Sequence, residues 1–152
     1  NKEAFLNAVY IALELGQNKL AIDTISIALK KFPQDQSVLE FAGEAYLNSG
    51  YYLNAENIFA RLVGQNAKTD FYYINLARAQ IGLNMPKLAI KNLQLAAKSE
   101  NHTALANFLL GQIYEEQKEY KSRFGGPGSG RALLSYLRGP GDLQSRGGFR
   151  YL

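Results

Sequence analysis

Residues 42–59 read AGEAYLNSGYYLNAENIF, and the pattern in this stretch decides the fold. Gly43 and Tyr46 are spaced to lie on one side of a helix, and Ala55 belongs to a second segment of the same kind. Gly50 falls between the two segments, where a glycine can end a helix in the left-handed conformation. The stretch therefore predicts a hairpin of two helices whose small residues let the two backbones approach closely.

The same pattern recurs in both directions at intervals of 34 residues, without an insertion. The matching positions are Ala8, Val9, Ala12, Gly16, Asn18, Ala21 and Ile25; then Leu76, Ala77, Gln80, Asn84, Pro86, Ala89 and Leu93; and finally Leu110, Gly111, Tyr114, Lys118 and Tyr120. One hairpin of this size cannot bury its apolar face, so regular repetition predicts that the hairpins stack. We expect helices over residues 3–15, 19–31, 37–49, 53–63, 70–82, 86–98 and 104–117.

The repeated residues resemble the tetratricopeptide-repeat family. Its pattern has a Leu-Gly pair, a Tyr three residues later, an Ala followed after four residues by an aromatic side chain, and a closing Pro. The residues that carry the resemblance are Ala42, Gly43, Tyr46, Ala55, Phe59, Leu110, Gly111, Tyr114 and Pro33. Phe5 and Leu39 stand where the family has an early Trp, and the third unit lacks the Tyr. The resemblance implies an all-α fold over residues 1–123, a right-handed α-solenoid of about three and a half helix pairs.

The fourth unit is incomplete in the sequence. Its first helix extends through Tyr120, but no second helix of the expected kind follows before the glycine-rich stretch. We therefore expect an apolar face around Leu109, Ile113 and Tyr120 to lie uncovered, unless further chain or a partner packs against it.

The composition changes near residue 124. Residues 125–130 read GGPGSG, a run that cannot continue a helix and is typical of a flexible linker. Residues 1–124 carry a net charge of +1, whereas residues 125–152 carry +3 with arginine as their only base. We divide the chain into a repeat domain (1–123), a linker (124–130) and a peptide-like tail (131–152). An engineered fusion of a receptor to its partner peptide accounts for this change, and a native glycine-rich terminus is the alternative.

The tail reads RALLSYLRGPGDLQSRGGFRYL. Its leucines form an apolar stripe compatible with two turns of helix, which the following Gly-Pro-Gly ends. A segment of this length cannot build its own core, so we interpret it as a ligand-like peptide. The side chains expected to make its contacts are Leu133, Leu134, Leu137, Arg138, Arg146, Phe149, Arg150 and Tyr151.

Two placements of the tail are open. A short helix over residues 131–138 replaces the missing helix of the fourth unit while the rest crosses the inner surface, or the whole tail lies in the inner channel. A third interpretation treats residues 145–150, SRGGFR, as part of an Arg-Gly-rich segment that binds RNA weakly.

The resemblance also implies that the first helix of each unit lines a concave, peptide-binding surface. We assign to this surface Tyr10, Leu13, Glu14, Glu40, Glu44, Leu47, Asn48, Phe71, Ile74, Arg78, Phe108, Gln112 and Glu115, with Leu6, Ile81 and Leu105 beside them. Family members that bind chaperone tails grip a carboxylate with Lys and Asn, whereas the matching positions here carry Leu6, Tyr10, Glu14, Glu40, Glu44 and Asn48. The surface therefore lacks that clamp and favours a basic peptide with large apolar side chains.

The sequence offers little for catalysis or metal binding. Cysteine is absent and His102 is the only histidine, so no Cys or second His is present to complete a zinc or catalytic site. Glu115 and Glu116 are adjacent, so their side chains point in different directions on a helix. We predict no enzyme activity, no metal and no cofactor, and we interpret His102 as a turn residue.

These observations favour a peptide-binding adaptor or scaffold with a polypeptide partner, from which the tail derives. Because the chain opens at Asn1 and not at Met, we expect a fragment of a larger protein. Its resemblance to repeat proteins of envelope, secretion, pilus or motility assembly implies a bacterial protein, in the cytoplasm or the periplasm. No apolar run is long enough for a membrane span, and the near-neutral repeat region argues against nucleic acid. The alternative functions are dimerisation by tail exchange and weak RNA binding.

Overall fold

The computed structural model describes residues 1–65 and 69–124, and it confirms the predicted all-α solenoid. These ranges contain seven α-helices: α1 (Lys2–Glu14), α2 (Asn18–Lys31), α3 (Gln36–Asn48), α4 (Tyr52–Gln65), α5 (Asp70–Gly82), α6 (Pro86–Ala96) and α7 (Thr103–Phe124). The proposed tail 131–152 and the linker from Gly125 onwards lie outside the described residues.

Consecutive helices pack as hairpins that stack in chain order. The pairs α1–α2, α3–α4 and α5–α6 form three complete units, and α7 adds the first helix of a fourth. The second helix of each unit also packs against the first helix of the next unit. An ion pair also links the first two units, because Nζ of Lys2 on α1 lies 3.1 Å from the carboxylate of Asp35. The Asp35 side chain in turn accepts the backbone N–H of Val38 at the start of α3.

Three turns within the hairpins have the same geometry, 34 residues apart. Gly16, Gly50 and Asn84 have positive φ angles of 68°, 78° and 60°. In each turn, the residue after the positive-φ residue donates its backbone N–H to the carbonyl five residues before it. From Gln17 to Ala12, the N···O distance of this bond is 2.8 Å. This six-to-one bond ends a helix where a residue adopts the left-handed conformation, so the predicted helix stops are confirmed.

The hydrophobic core consists of two clusters that share α5. The first cluster is built from α1 to α5 and includes Phe59, which is fully buried. The second joins α5, α6 and α7 around Leu93 and Leu109. Tyr72 on α5 belongs to the first cluster and Ile74 to the second, so α5 is buried on two sides. This explains why buried residues lie around most of the circumference of α5.

The prediction that an apolar face of α7 lies uncovered is wrong for Leu109 and Ile113, which pack within the stack. Leu109, Ile113 and Tyr120 are buried, and the first two belong to the second core cluster with α6. The apolar side chains that α7 exposes are instead Leu105, Phe108 and Tyr114. The reason is that α7 turns its Leu109 stripe back towards the preceding hairpin, as α3 and α5 do. The helix also continues to Phe124, beyond the predicted bound at residue 117 and beyond Tyr120, the last position that the repeat pattern places on it.

None of the helices in the described ranges is both long enough and apolar enough to span a membrane.

Candidate functional site

The first helices of the units lie on the inner side of the stack. α1 contacts α3, and α3 contacts α5, whereas α2, α4 and α6 make no comparable contacts with one another within the described ranges. Helices on the inside of a curved stack approach each other more closely than those outside. We call the accessible side of α1, α3, α5 and α7 the inner surface.

The predicted site residues differ in their accessibility. The exposed residues are Tyr10, Glu14, Asn48, Phe108 and Glu115. Partly buried are Leu13, Glu40, Glu44, Phe71, Arg78 and Gln112. Leu47 and Ile74 are 6% and 1% exposed and belong to the two core clusters. Because their side chains pack within the stack, the inner surface available to a ligand does not include Leu47 or Ile74.

The centre of the inner surface is a hydrogen-bonded cluster between α3 and α5. The Tyr72 hydroxyl donates to a carboxylate oxygen of Glu40. The Gln36 amide donates to the same hydroxyl over 2.8 Å and to Glu40 Oε1 over 3.1 Å. Glu40 is therefore already engaged by its own chain, and its carboxylate helps to hold α3 against α5.

Tyr72 was not among the predicted site residues, although the sequence carried a signal for it. Tyr72 stands at the repeat position that is Val38 one unit earlier and Ala106 one unit later. Of these three residues, only Tyr72 has a polar group. Burial, followed by the hydrogen bond to Glu40, raises the pKa of Tyr72 to about 12. The hydroxyl consequently stays protonated at neutral pH and can donate to Glu40.

Glu44 lies one helical turn after Glu40 and differs from it in having no hydrogen-bond partner. Among the described residues, no hydrogen bond reaches the Glu44 carboxylate, and its side chain is partly buried. Burial raises the pKa of Glu44, the charge of Arg78 opposes this shift, and the charge of Glu40 adds to it. A partly desolvated carboxylate without a hydrogen bond is an acceptor for a basic group.

Arg78 on α5 supplies the positive charge beside this carboxylate. Its Nη1 donates to Oδ1 of Asn75 over 2.9 Å, and Asn75 is fully buried. Asn75 therefore positions the guanidinium from within the core. The cluster presents charges of both signs, with Glu40 and Glu44 on α3 and Arg78 on α5.

The two ends of the inner surface are separate from this cluster. Tyr10 and Glu14 lie on α1, and Phe108 and Glu115 lie on α7; within the part of the chain that the structure describes, no hydrogen bond or ion pair joins them to the central residues. At the α7 end, Phe71 lies 6.2 Å from the His102 ring, centroid to centroid. A ligand that contacts the whole surface therefore has to be extended across several helices.

His102 occupies the turn between α6 and α7. Its Nδ1 lies 3.8 Å from Oδ2 of Asp70 at the start of α5. The contact joins a turn to a helix start, as expected for a turn residue. The described ranges hold no group of three or more His, Asp or Glu side chains that could bind a metal ion.

Comparison with known proteins bears on the repeat. No curated protein and no solved structure matches the chain. Residues 6–70 match the family model described as tetratricopeptide repeat, which spans most of α1 through the first residue of α5. Repeats of this family generally serve as protein–protein interaction modules and are typically non-catalytic. Residues 6–70, which hold the first two hairpins, therefore match the tetratricopeptide-repeat family.

Proposed function

We propose that the chain is an adaptor whose inner surface binds an extended peptide carrying arginine and large apolar side chains. The observation that carries this proposal is the partly buried Glu44 carboxylate, which no hydrogen bond of the described residues satisfies. Burying an acidic group is costly unless it is paired and hydrogen-bonded. An arginine of a bound peptide would supply both the charge and the donors.

The surfaces on either side of Glu44 fit the rest of such a peptide. Phe108 is 60% exposed towards one end, and Tyr10 is 55% exposed towards the other. Aromatic side chains of this exposure offer apolar contact area at low conformational cost. Glu14 and Glu115 are both exposed and add negative charge at the two ends. The tail 131–152 has the matching chemistry, with four arginines and several leucines and aromatic residues.

Glu44→Gln is expected to weaken peptide binding about tenfold, which corresponds to the ~1.4 kcal/mol of one charge-assisted hydrogen bond. The measurement is fluorescence anisotropy of a labelled synthetic peptide of residues 131–152 added to a chain that ends at Gly130, which keeps every described residue. Glu56→Gln on α4 is the matched control, because it removes the same charge from an outer helix.

Glu40→Gln is expected to lower the affinity less than Glu44→Gln, because the Glu40 carboxylate is already bound by Tyr72 and Gln36. If the Glu44 and Glu56 variants bind the peptide with the affinity of the unsubstituted chain, the assignment of the inner surface fails. If the peptide does not bind at all, the tail is not a ligand of this domain.

Glu44→Gln is expected to stabilise the free chain, although it weakens peptide binding. Burial raises the folded-state pKa of Glu44 above its ordinary 4.5, so folding favours the protonated carboxyl. The ionised group therefore costs stability, and this cost grows as the pH rises above 4.5 until the raised pKa is passed. Relative to the unsubstituted chain, Glu44→Gln should gain more stability at pH 7 than at pH 4 in urea unfolding. The same difference at both pH values would contradict the role of burial.

A further inference from the structure

The side of α6 that faces away from the core carries an exposed, mostly apolar row. We define the α6 seam as Met85, Leu88, Asn92 and Leu95, which begins at the helix start and follows the helix. Met85, Leu88 and Leu95 are 40%, 48% and 39% exposed. Asn92 is the polar member of the seam, and its Nδ2 donates to Oε1 of Gln80 on α5 over 2.7 Å. The spacing of three, four and three residues places the four side chains along one line of the helix.

Lysines surround the α6 seam, and no acidic residue lies on the helix. Lys87 and Lys91 belong to α6, Lys98 follows its end, and all three are exposed. Residues 86–98 contain neither Asp nor Glu, so this segment carries a charge of +3. No ion pair among the described residues involves these lysines. Their charges are therefore available to an acidic ligand that also contacts the seam.

The other two outer helices do not combine these features. Leu20 and Ile27 on α2 stand 68 residues before Leu88 and Leu95 and are also about half exposed, but Asp23 lies between them where α6 has a lysine. On α4 both of the apolar positions carry polar residues. Among α2, α4 and α6, only α6 therefore joins an exposed apolar row to charges of a single sign.

We propose that the α6 seam binds an acidic amphipathic helix of another protein, whose leucines pack on the seam and whose carboxylates face the lysines. Alternate spacings of three and four residues are those of the contact positions in paired helices, so a second helix is the complement that matches the seam. In this register Lys91 and Lys98 flank the seam, at the positions where paired helices place opposite charges.

Other negatively charged ligands match the seam less completely. Residues 85–98 contain no aromatic side chain, whereas Trp and Tyr are the typical anchors at a membrane interface. A nucleic acid would pair with the lysines but leave the apolar row without a partner, and the segment has neither an arginine nor a ring on which a base could stack. The tail 131–152 has a net charge of +3, the same sign as the seam, so charge disfavours it as the ligand.

This second surface shares no residue with the inner surface. The proposal therefore goes beyond the binding of a basic peptide and stands or falls separately from it. With both surfaces occupied, the chain would connect two partners of opposite charge, a basic peptide on the first helices of the units and an acidic helix on α6.

The first test uses a labelled synthetic helix of about 21 residues, with leucine at its a and d positions and glutamate at its e and g positions. Fluorescence anisotropy with the full chain is expected to give a dissociation constant in the micromolar range. The same helix with lysine in place of every glutamate should bind at least tenfold more weakly. Equal affinity for the two helices would overturn the proposal, and so would binding to phosphatidylserine vesicles or a DNA duplex without binding to the acidic helix.

The second test locates the contact on α6. Lys98→Glu should weaken binding of the acidic helix about fivefold, because it replaces an attraction by a repulsion. Lys30→Glu is the matched control, since Lys30 holds the same repeat position on α2 and is also exposed. Leu95→Ala should weaken binding about fivefold through the lost apolar area, and Ile27→Ala is its control on α2.

Two further results would overturn the assignment to α6. Equal losses of affinity in the Lys98→Glu and Lys30→Glu chains would show that the acidic helix responds only to net charge. Binding that disappears when residues 131–152 are removed would place the acidic helix on the arginines of the tail. A chain ending at Gly130 that still binds the acidic helix, and binds it more weakly after Lys98→Glu or Leu95→Ala alone, would support the α6 seam.

Discussion

Leu93→Ala is expected to lower the free energy of unfolding by about 2–5 kcal/mol, the usual cost of removing a fully buried leucine. Leu93 is 0% exposed and occupies the second core cluster with Leu109 and Ile113. It holds the position in α6 that Phe59 holds in α4, 34 residues earlier. The cavity would open beneath the helix that packs α7 onto the stack, so α6 and α7 should lose the most stability.

Leu95→Ala is the matched control for this prediction. Leu95 lies two residues further along the same helix and is 39% exposed, so the same truncation should cost less than about 1 kcal/mol. Urea unfolding gives the two differences, and hydrogen exchange shows where they act. Faster exchange confined to α6 and α7 is expected, because neighbouring repeats are coupled only through their shared interfaces. Equal losses of stability in the two variants would contradict the assignment of Leu93 to a packed core.

The helices and their register could be predicted from the sequence because each depends on local chemistry. Gly16, Gly50 and Asn84 end three helices in the same way, and Pro86 begins one, and all four lie at positions fixed by the 34-residue pattern. The pattern missed the last turns of α7. Helical spacing places Lys118 and Tyr120 on a helix, but no stop residue occurs before the glycines, so the expected end at residue 117 rested only on the length of the earlier units.

The inner surface was harder to predict, since periodicity gives the direction of a side chain but not its neighbour. Leu47 and Ile74 have the spacing of inner-surface residues, yet the adjoining helices bury them. The spacing of residues along one helix does not show how close the neighbouring helices lie. Glu40 was expected to be available to a ligand, but the hydroxyl of Tyr72 on the next unit binds it. A contact between residues 32 positions apart depends on how two hairpins stack, which only the folded structure reveals.

Gly43→Ala is expected to lower the free energy of unfolding by about 1–3 kcal/mol, the usual cost of overfilling a packed core. A Cβ atom at Gly43 would lie 2.6 Å from Cζ of Phe59, which is too close for two carbon atoms. Phe59 is fully buried, so its ring has no open space into which it can move. The better helix propensity of alanine offsets at most about 1 kcal/mol of this cost.

Gly111→Ala separates the steric cost from the effect of the residue type. Gly111 stands at the same position of the repeat two units later, and nothing lies within 4 Å of a Cβ atom built there. Alanine should therefore leave the stability unchanged or raise it by up to about 1 kcal/mol. Phe59→Leu should recover part of the loss in the Gly43→Ala chain, and a double-mutant cycle measured by urea unfolding would isolate that coupling. If the two glycine substitutions change stability equally, the close approach of α3 and α4 at Gly43 does not determine the packing of the hairpin.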